Sequence, residues 1–172
     1  MSGANRIKGK GRLTPAKTLR FKFDNKILTA VKGDTLASAL LANGIHLTGR
    51  SFKYHRPRGM LSAGPEEPNA LMDVGRDAVR RTPNIRATVQ EVYDGMQTRS
   101  QNRWPSLAFD VGGLNNLASP FFAAGFYYKT FMWPKAAWKK IYEPVIRAAA
   151  GLGVAPSEPD PDHYANHFAH CD

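Results

Sequence analysis

The sequence predicts an α+β chain: a β-grasp domain over residues 18–103, then a mostly helical, aromatic-rich extension over 104–153. Three observations carry this reading. Two short runs of apolar–polar alternation flank a two-residue turn. An amphipathic helix with clear end signals follows at once. Past Trp104 the pattern changes to dense apolar clusters broken by Pro and Gly.

Each element follows in order. Residues 1–17 are basic and Gly-rich and read as a flexible arm. Leu19, Phe21 and Phe23 alternate with Thr18, Arg20 and Lys22, the period of a half-buried strand. Asp24 and Asn25 supply a turn, and residues 26–31 return as a second strand. Asp34 is a suitable N-cap for a helix over 35–42, whose buried stripe is Leu36, Ala39 and Leu40. Gly44 ends it. Strand, turn, strand, helix is the opening of a β-grasp fold. Residues 45–48 and 51–55 read as short strands or extended loop. Residues 70–74 and 85–93 read as strands, with Gly95 as a turn and 96–100 continuing the ladder. In the extension, 106–117 suits a helix weakened by Gly112 and Gly113, and 135–150 a second helix kinked or split by Pro144. Residues 154–172 are rich in Pro and Asp and read as a linker.

The chain has 172 residues and a formal net charge of +10, which favours an acidic or anionic partner. Its one cysteine, Cys171, rules out a disulfide within the chain and fits a reducing, cytoplasmic setting. The first residues carry no apolar signal core, and no apolar run is long enough to span a bilayer, so no membrane is expected.

The cysteine count gains meaning at residues 62–88. A plant-type 2Fe–2S domain places cysteines as C-x4-C-x2-C with a distant fourth. That spacing falls here on Ser62, Glu67, Ala70 and Thr88. Clusters need soft thiolate ligands, so the domain is ferredoxin-like in outline but lacks the means to hold a cluster. No metal is expected in it.

Other candidates are weighed against plainer explanations. Arg50, Lys53, His55, Arg56 and Arg58 interleave with Phe52 and Tyr54, a pattern suited to phosphate contact and stacking. Lys53, Arg56 and Arg58 are the candidate anion contacts, for a nucleotide or flavin phosphate or an acidic surface; a solvated loop is the plainer reading. Glu66 and Glu67 read as a surface turn, because adjacent residues of extended chain point to opposite sides. His163, His167 and His170 would share one face of a helix and, with the soft Cys171 beside them, could bind metal; an extended connector is the plainer reading. The aromatic segment 104–142 is too apolar for free solvent and reads partly as a docking surface. No P-loop, nucleophile elbow, zincin helix or dinucleotide fingerprint is present.

The runs Gly33 to Gly44, Arg50 to Gly59, Glu66 to Leu71, Ser100 to Ser106 and Ala124 to Pro134 together resemble the N-terminal region of the alpha subunit of heterotetrameric sarcosine oxidase. The resemblance runs from about Leu19 to Asp172. It extends more widely to the 2Fe–2S β-grasp domains of related amine and amino-acid dehydrogenases and hydrogen cyanide synthase, where the positions of Ser62, Glu67, Ala70 and Thr88 are cysteines. It implies an oxidoreductase of several subunits that demethylates sarcosine to glycine, makes hydrogen peroxide and passes a one-carbon unit to tetrahydrofolate. FAD, covalently attached FMN, NAD, tetrahydrofolate and zinc are expected in the full complex, none of them in this segment. The rest of the alpha subunit, beginning with a dinucleotide-binding domain, and the other subunits are the expected partners. The segment alone is expected to be inactive and to serve as a structural or interaction module, with no catalytic residue. The rival classes are a basic nucleic-acid-binding protein, suggested by the arm and the 50–58 loop, and a metalloprotein using the histidine tail.

Overall fold

The computed structural model describes residues 4–7, 9–13, 17–121, 125 and 131–167. Strands β1 (Thr18–Phe23) and β2 (Lys26–Val31) form the expected hairpin, paired antiparallel from Thr18 opposite Val31 to Phe23 opposite Lys26. Leu19, Phe21 and Phe23 all point into the core, as their alternation requires. The helix α1 (Leu36–Ala42) follows, with Leu36, Ala39 and Leu40 fully buried.

The cap of α1 differs from expectation by one residue. Thr35 is the N-cap, its hydroxyl accepting from the Ser38 N–H at 3.2 Å. Asp34 instead accepts from the Val31 N–H at 2.8 Å and the Ser38 hydroxyl at 2.9 Å, and it pairs with Arg6 of the N-terminal arm.

Residues 45–58 carry only a two-residue ladder, β3 (Gly49–Arg50) against β4 (Pro57–Arg58). Then come β5 (Leu71–Gly75), β6 (Arg81–Arg86) and β7 (Gln97–Ser100). The main sheet runs β2-β1-β7-β5-β6. It is mixed: β1 and β7 are parallel, and the other neighbours are antiparallel. The core lies between this sheet and α1, where Phe21, Met72, Val74, Ala87 and Met96 meet Leu36 and Leu40.

The expected strand over 85–93 is corrected. The strand is β6 and ends at Arg86. Residues beyond it serve α1 instead: the carbonyls of Ala87 and Gln90 accept from the N–H groups of Ala37 and Leu36, and the Val92 N–H donates to the Asp34 carbonyl. These bonds use the first N–H groups of the helix, which have no partner inside it. Pro83 hid the true strand. A proline is tolerated there because β6 is an edge strand, and the pairing slips between Met72 and Val74.

The helical part of the extension is modest. In place of a helix over 106–117 there is one 3₁₀ segment, Val111–Asn116, whose cap Asp110 accepts from the Gly112 N–H at 3.2 Å. In place of one helix over 135–150 there are three segments: a 3₁₀ turn (Lys135–Ala137), a π turn (Trp138–Tyr142) and α2 (Glu143–Ala150). Pro144 sits in the first turn of α2, where its missing N–H costs nothing. Gly151 closes α2 with φ of 64°. No helix among the described residues is long and apolar enough to cross a membrane. Residues 161–167 are not helical, and His170 and Cys171 lie outside the described residues.

Candidate functional site

Ser62, Glu67 and Ala70 lie in the loop between β4 and β5, and Thr88, just beyond β6, bonds to that loop. Glu67, expected in a surface turn, is instead wholly buried, whereas Glu66 is exposed. One carboxylate oxygen of Glu67 accepts from the backbone N–H groups of Leu61 and Ser62 at 2.7 and 2.6 Å. The other accepts from the Asn69 N–H at 2.8 Å. Thr88 donates its hydroxyl to the Gly64 carbonyl at 2.7 Å, and Arg86 donates from Nε to the Glu67 carbonyl at 3.2 Å. Ala70 is buried and contributes only methyl and backbone.

The electrostatics follow from this geometry. Burial alone would raise the Glu67 pKa, but the N–H groups of Ser62, Asn69, Leu61 and Ala70 outweigh it and hold the carboxyl below its ordinary value. The group is therefore an anion at neutral pH with its lone pairs already engaged. A 2Fe–2S cluster does not fit this donor set: there is no sulfur, Ala70 has no donor, and the oxygens of Glu67 and Thr88 are in use. Among the described residues no other group of His, Cys, Asp and Glu is placed to hold a metal.

The second candidate is the basic loop. Lys53 Nζ and the Arg56 guanidinium lie 4.9 and 4.8 Å from the centre of the Tyr54 ring. Arg58 lies on β4 and lines a hollow of about 280 Å³ with Phe52, Asn69, Gln101 and Leu152. Arg50, by contrast, is turned inward, giving its guanidinium to the carbonyls of Leu107 and His55. Gly59 is required where the loop leaves: a Cβ there would stand 2.5 Å from the His46 carbonyl oxygen.

Sequence reasoning missed what shapes this loop. The Asp110 side chain is fully buried and bonds His55 Nδ1 at 2.7 Å. Asn102 donates to the carbonyls of Arg50 and Ser51, Asn115 to that of Lys53 and Asn116 to that of Tyr54. Asn residues on both sides of the Trp104-Pro105 pair were the available signal, but these partners are more than 50 positions away.

Among the described residues of the extension, Leu107 joins the core but many other apolar residues stay outside. Leu117, Phe121 and Trp133 are each more than four-fifths exposed, and Trp104, Phe109, Met132 and Val145 are mostly so.

The sequence profile of the 2Fe-2S iron-sulfur cluster binding domain family matches residues 16–103. The chain is 66% identical over 154 residues to the sarcosine oxidase subunit alpha of Rhizobium meliloti (strain 1021), covering 90% of this chain and 16% of that one. It is 44% identical over 87 residues to the sarcosine oxidase subunit alpha of Corynebacterium sp. (strain U-96), covering 49% of this chain and 9% of that one. A solved structure, L-proline dehydrogenase from P. horikoshii, matches at 32% identity with a TM-score of 0.39, over 48% of this chain and 15% of that one. The chain thus spans less than a fifth of the length of these relatives.

Proposed function

Since the chain belongs to the 2Fe-2S iron-sulfur cluster binding domain family and has no thiolate at Ser62, Glu67, Ala70 or Thr88, we propose that it is a non-redox structural module of an oxidoreductase subunit. The reading draws on its similarity to the alpha subunit of sarcosine oxidase. In this reading the whole enzyme oxidatively demethylates sarcosine to glycine, forms hydrogen peroxide and hands a one-carbon unit to tetrahydrofolate. FAD, FMN, NAD and zinc then belong to other parts of the complex. Residues 154–172 lead toward a dinucleotide-binding domain, and the segment 104–153 docks on that domain or on a neighbouring subunit. Lys53, Arg56 and Arg58 face an anionic group there.

The observation that carries the reading is the exposure of Leu117, Phe121 and Trp133, none of which takes part in the β-sheet core. Surfaces of this kind mark interfaces. The test is Phe121→Glu with Trp133→Glu in the full assembly. Loss of subunit association with the sheet domain still folded is expected; unchanged association and flavin content would defeat the docking role.

A further inference from the structure

The loop between β4 and β5 poses a physical question. A carboxylate with no access to solvent is costly unless its charge is compensated. Glu67 is such a group, and among the described residues no Lys, Arg or His pairs with its side chain: Arg86 gives its Nε to the Glu67 carbonyl oxygen instead. The compensation comes from main chain. Leu61 and Ser62 approach one oxygen from the incoming limb of the loop, and Asn69 approaches the other from the outgoing limb. Convergent backbone N–H groups form an anion-binding concavity, and bonds from such groups to a carboxylate are of the strong, charge-assisted kind.

An anionic cluster makes the same demand of its loop: the protein surrounds it with N–H groups directed at its sulfurs. Here the concavity is built and filled, but from within the chain. The position that the family's spacing gives to a cysteine supplies the anion itself.

We infer that Glu67 is the resident anion of this loop, organising residues 61–70 by the same main-chain contacts that a cluster would use, so that the loop is complete without metal. The inference rests on the structural-module reading above and gives it a mechanism. The rest of the chain keeps a fixed surface whatever the supply of iron and sulfide. Thr88 supports the arrangement from the far side, tying the Gly64 carbonyl to the segment that caps α1.

The test is amide hydrogen exchange on the intact protein, comparing wild type, Glu67→Gln and Glu66→Gln. An amide keeps the shape but replaces one of the two oxygens with N–H hydrogens, so one limb loses its acceptor. Exchange should rise about tenfold or more in E67Q either at Asn69 or at Leu61 and Ser62, the size expected for losing a hydrogen bond to a charged group. It should stay at the wild-type rate in E66Q. Wild-type rates at these three amides in E67Q would overturn the role of Glu67 and leave the module reading standing. If E67Q does not fold, the wild type decides: Leu61 is surface-exposed, so slow exchange of its amide supports the bond to Glu67, and unprotected exchange overturns it. Anaerobic incubation of wild type with ferrous iron and sulfide tests the underlying reading separately. Stoichiometric iron with a visible absorption band would defeat that reading; its absence supports it.

Discussion

His55 and Asp110 are 55 positions apart in the chain, yet Nδ1 of one lies 2.7 Å from the carboxylate of the other, and the Asp110 side chain is completely shielded from solvent. This contact fastens the basic loop to the segment that leaves the sheet. His55 holds a φ of 50°, a left-handed conformation that Asn, Asp and His adopt more readily than most residues. Asp110 also accepts from the Trp104 and Gly112 N–H groups and lies 3.9 Å from Arg50 Nε. Asp110→Asn leaves one side of this buried cluster facing donors with a donor. It should cost about 1–3 kcal/mol of stability, read as a lower denaturant midpoint. Trypsin should cut faster after Lys53 or Arg58. An unchanged midpoint together with unchanged cutting would show that the contact does not hold the loop.

The cations of the loop divide into two classes. Arg50 is committed to carbonyls of the fold, whereas Arg56 and Arg58 are exposed. Arg56→Ala with Arg58→Ala should therefore change stability by less than about 0.5 kcal/mol, as exposed substitutions do. In the full assembly the pair should lower flavin content or subunit association. Arg50→Ala should do the reverse, loosening the fold first. Equal flavin content and equal assembly in the double variant would reject an anion contact at this loop.

What could be read from the sequence was local. The β1–β2 hairpin and α1 announce themselves because alternation, turn residues and the Leu36, Ala39, Leu40 stripe all lie within a few positions of one another. The strand β6 did not, because Pro83 argues against a strand and only its position at the sheet edge permits it. The run after it looked extended, but the backbone groups of Ala87, Gln90 and Val92 belong to the start of α1, a relation across some 50 residues. The extension was harder still: its turns are set by Asp110 and the Asn side chains rather than by any periodicity. At the candidate site the absent sulfurs became legible only when the cysteine spacing of 2Fe–2S domains was laid over the chain. That Glu67 is buried and filled by main-chain donors was not, since it depends on Leu61 and Asn69 closing around it from both sides.

The chain after α2 is held at two points of unequal worth. Asn84, with φ of 61°, accepts from the Gly153 N–H at 3.0 Å and donates to its carbonyl at 3.5 Å. Arg80 reaches Asp162 at 2.9 Å, with both side chains substantially exposed. An exposed ion pair is worth about 0–1 kcal/mol and weakens with salt. Asp162→Asn should therefore leave the tail's protease sensitivity almost unchanged. Asn84→Ala removes both bonds and leaves a side chain that tolerates the left-handed region less well, at about 1–2 kcal/mol. It should expose residues 153–162 to limited proteolysis. Equal sensitivity in the two variants would place the attachment elsewhere.

Acid should loosen the domain at two identifiable carboxyls. For Asp110, burial raises the pKa, but the Trp104 N–H, the His55 ring and the Gly112 N–H outweigh it, so this group, like Glu67, sits below its ordinary value. A carboxyl whose pKa is depressed on folding binds fewer protons in the folded state than in the unfolded one. Its stabilisation is fully present above the unfolded value, about 4, and is lost as the pH falls from there through the depressed folded value. Asp77 and Asp160 are also lowered, Asp77 by the Arg80 N–H first and Asp160 by the Tyr164 hydroxyl first, but both are surface groups whose contributions solvent screens. The stability of wild type, followed by denaturant midpoint, should be flat from neutral pH down to about pH 5 and fall below about pH 4. In Asp110→Asn one of these two lowered carboxyls no longer titrates. That variant should start lower and lose less between pH 5 and pH 3 than wild type does. Parallel curves for the two proteins over that interval would mean that Asp110 is not ionised in the folded chain under the conditions that this geometry requires.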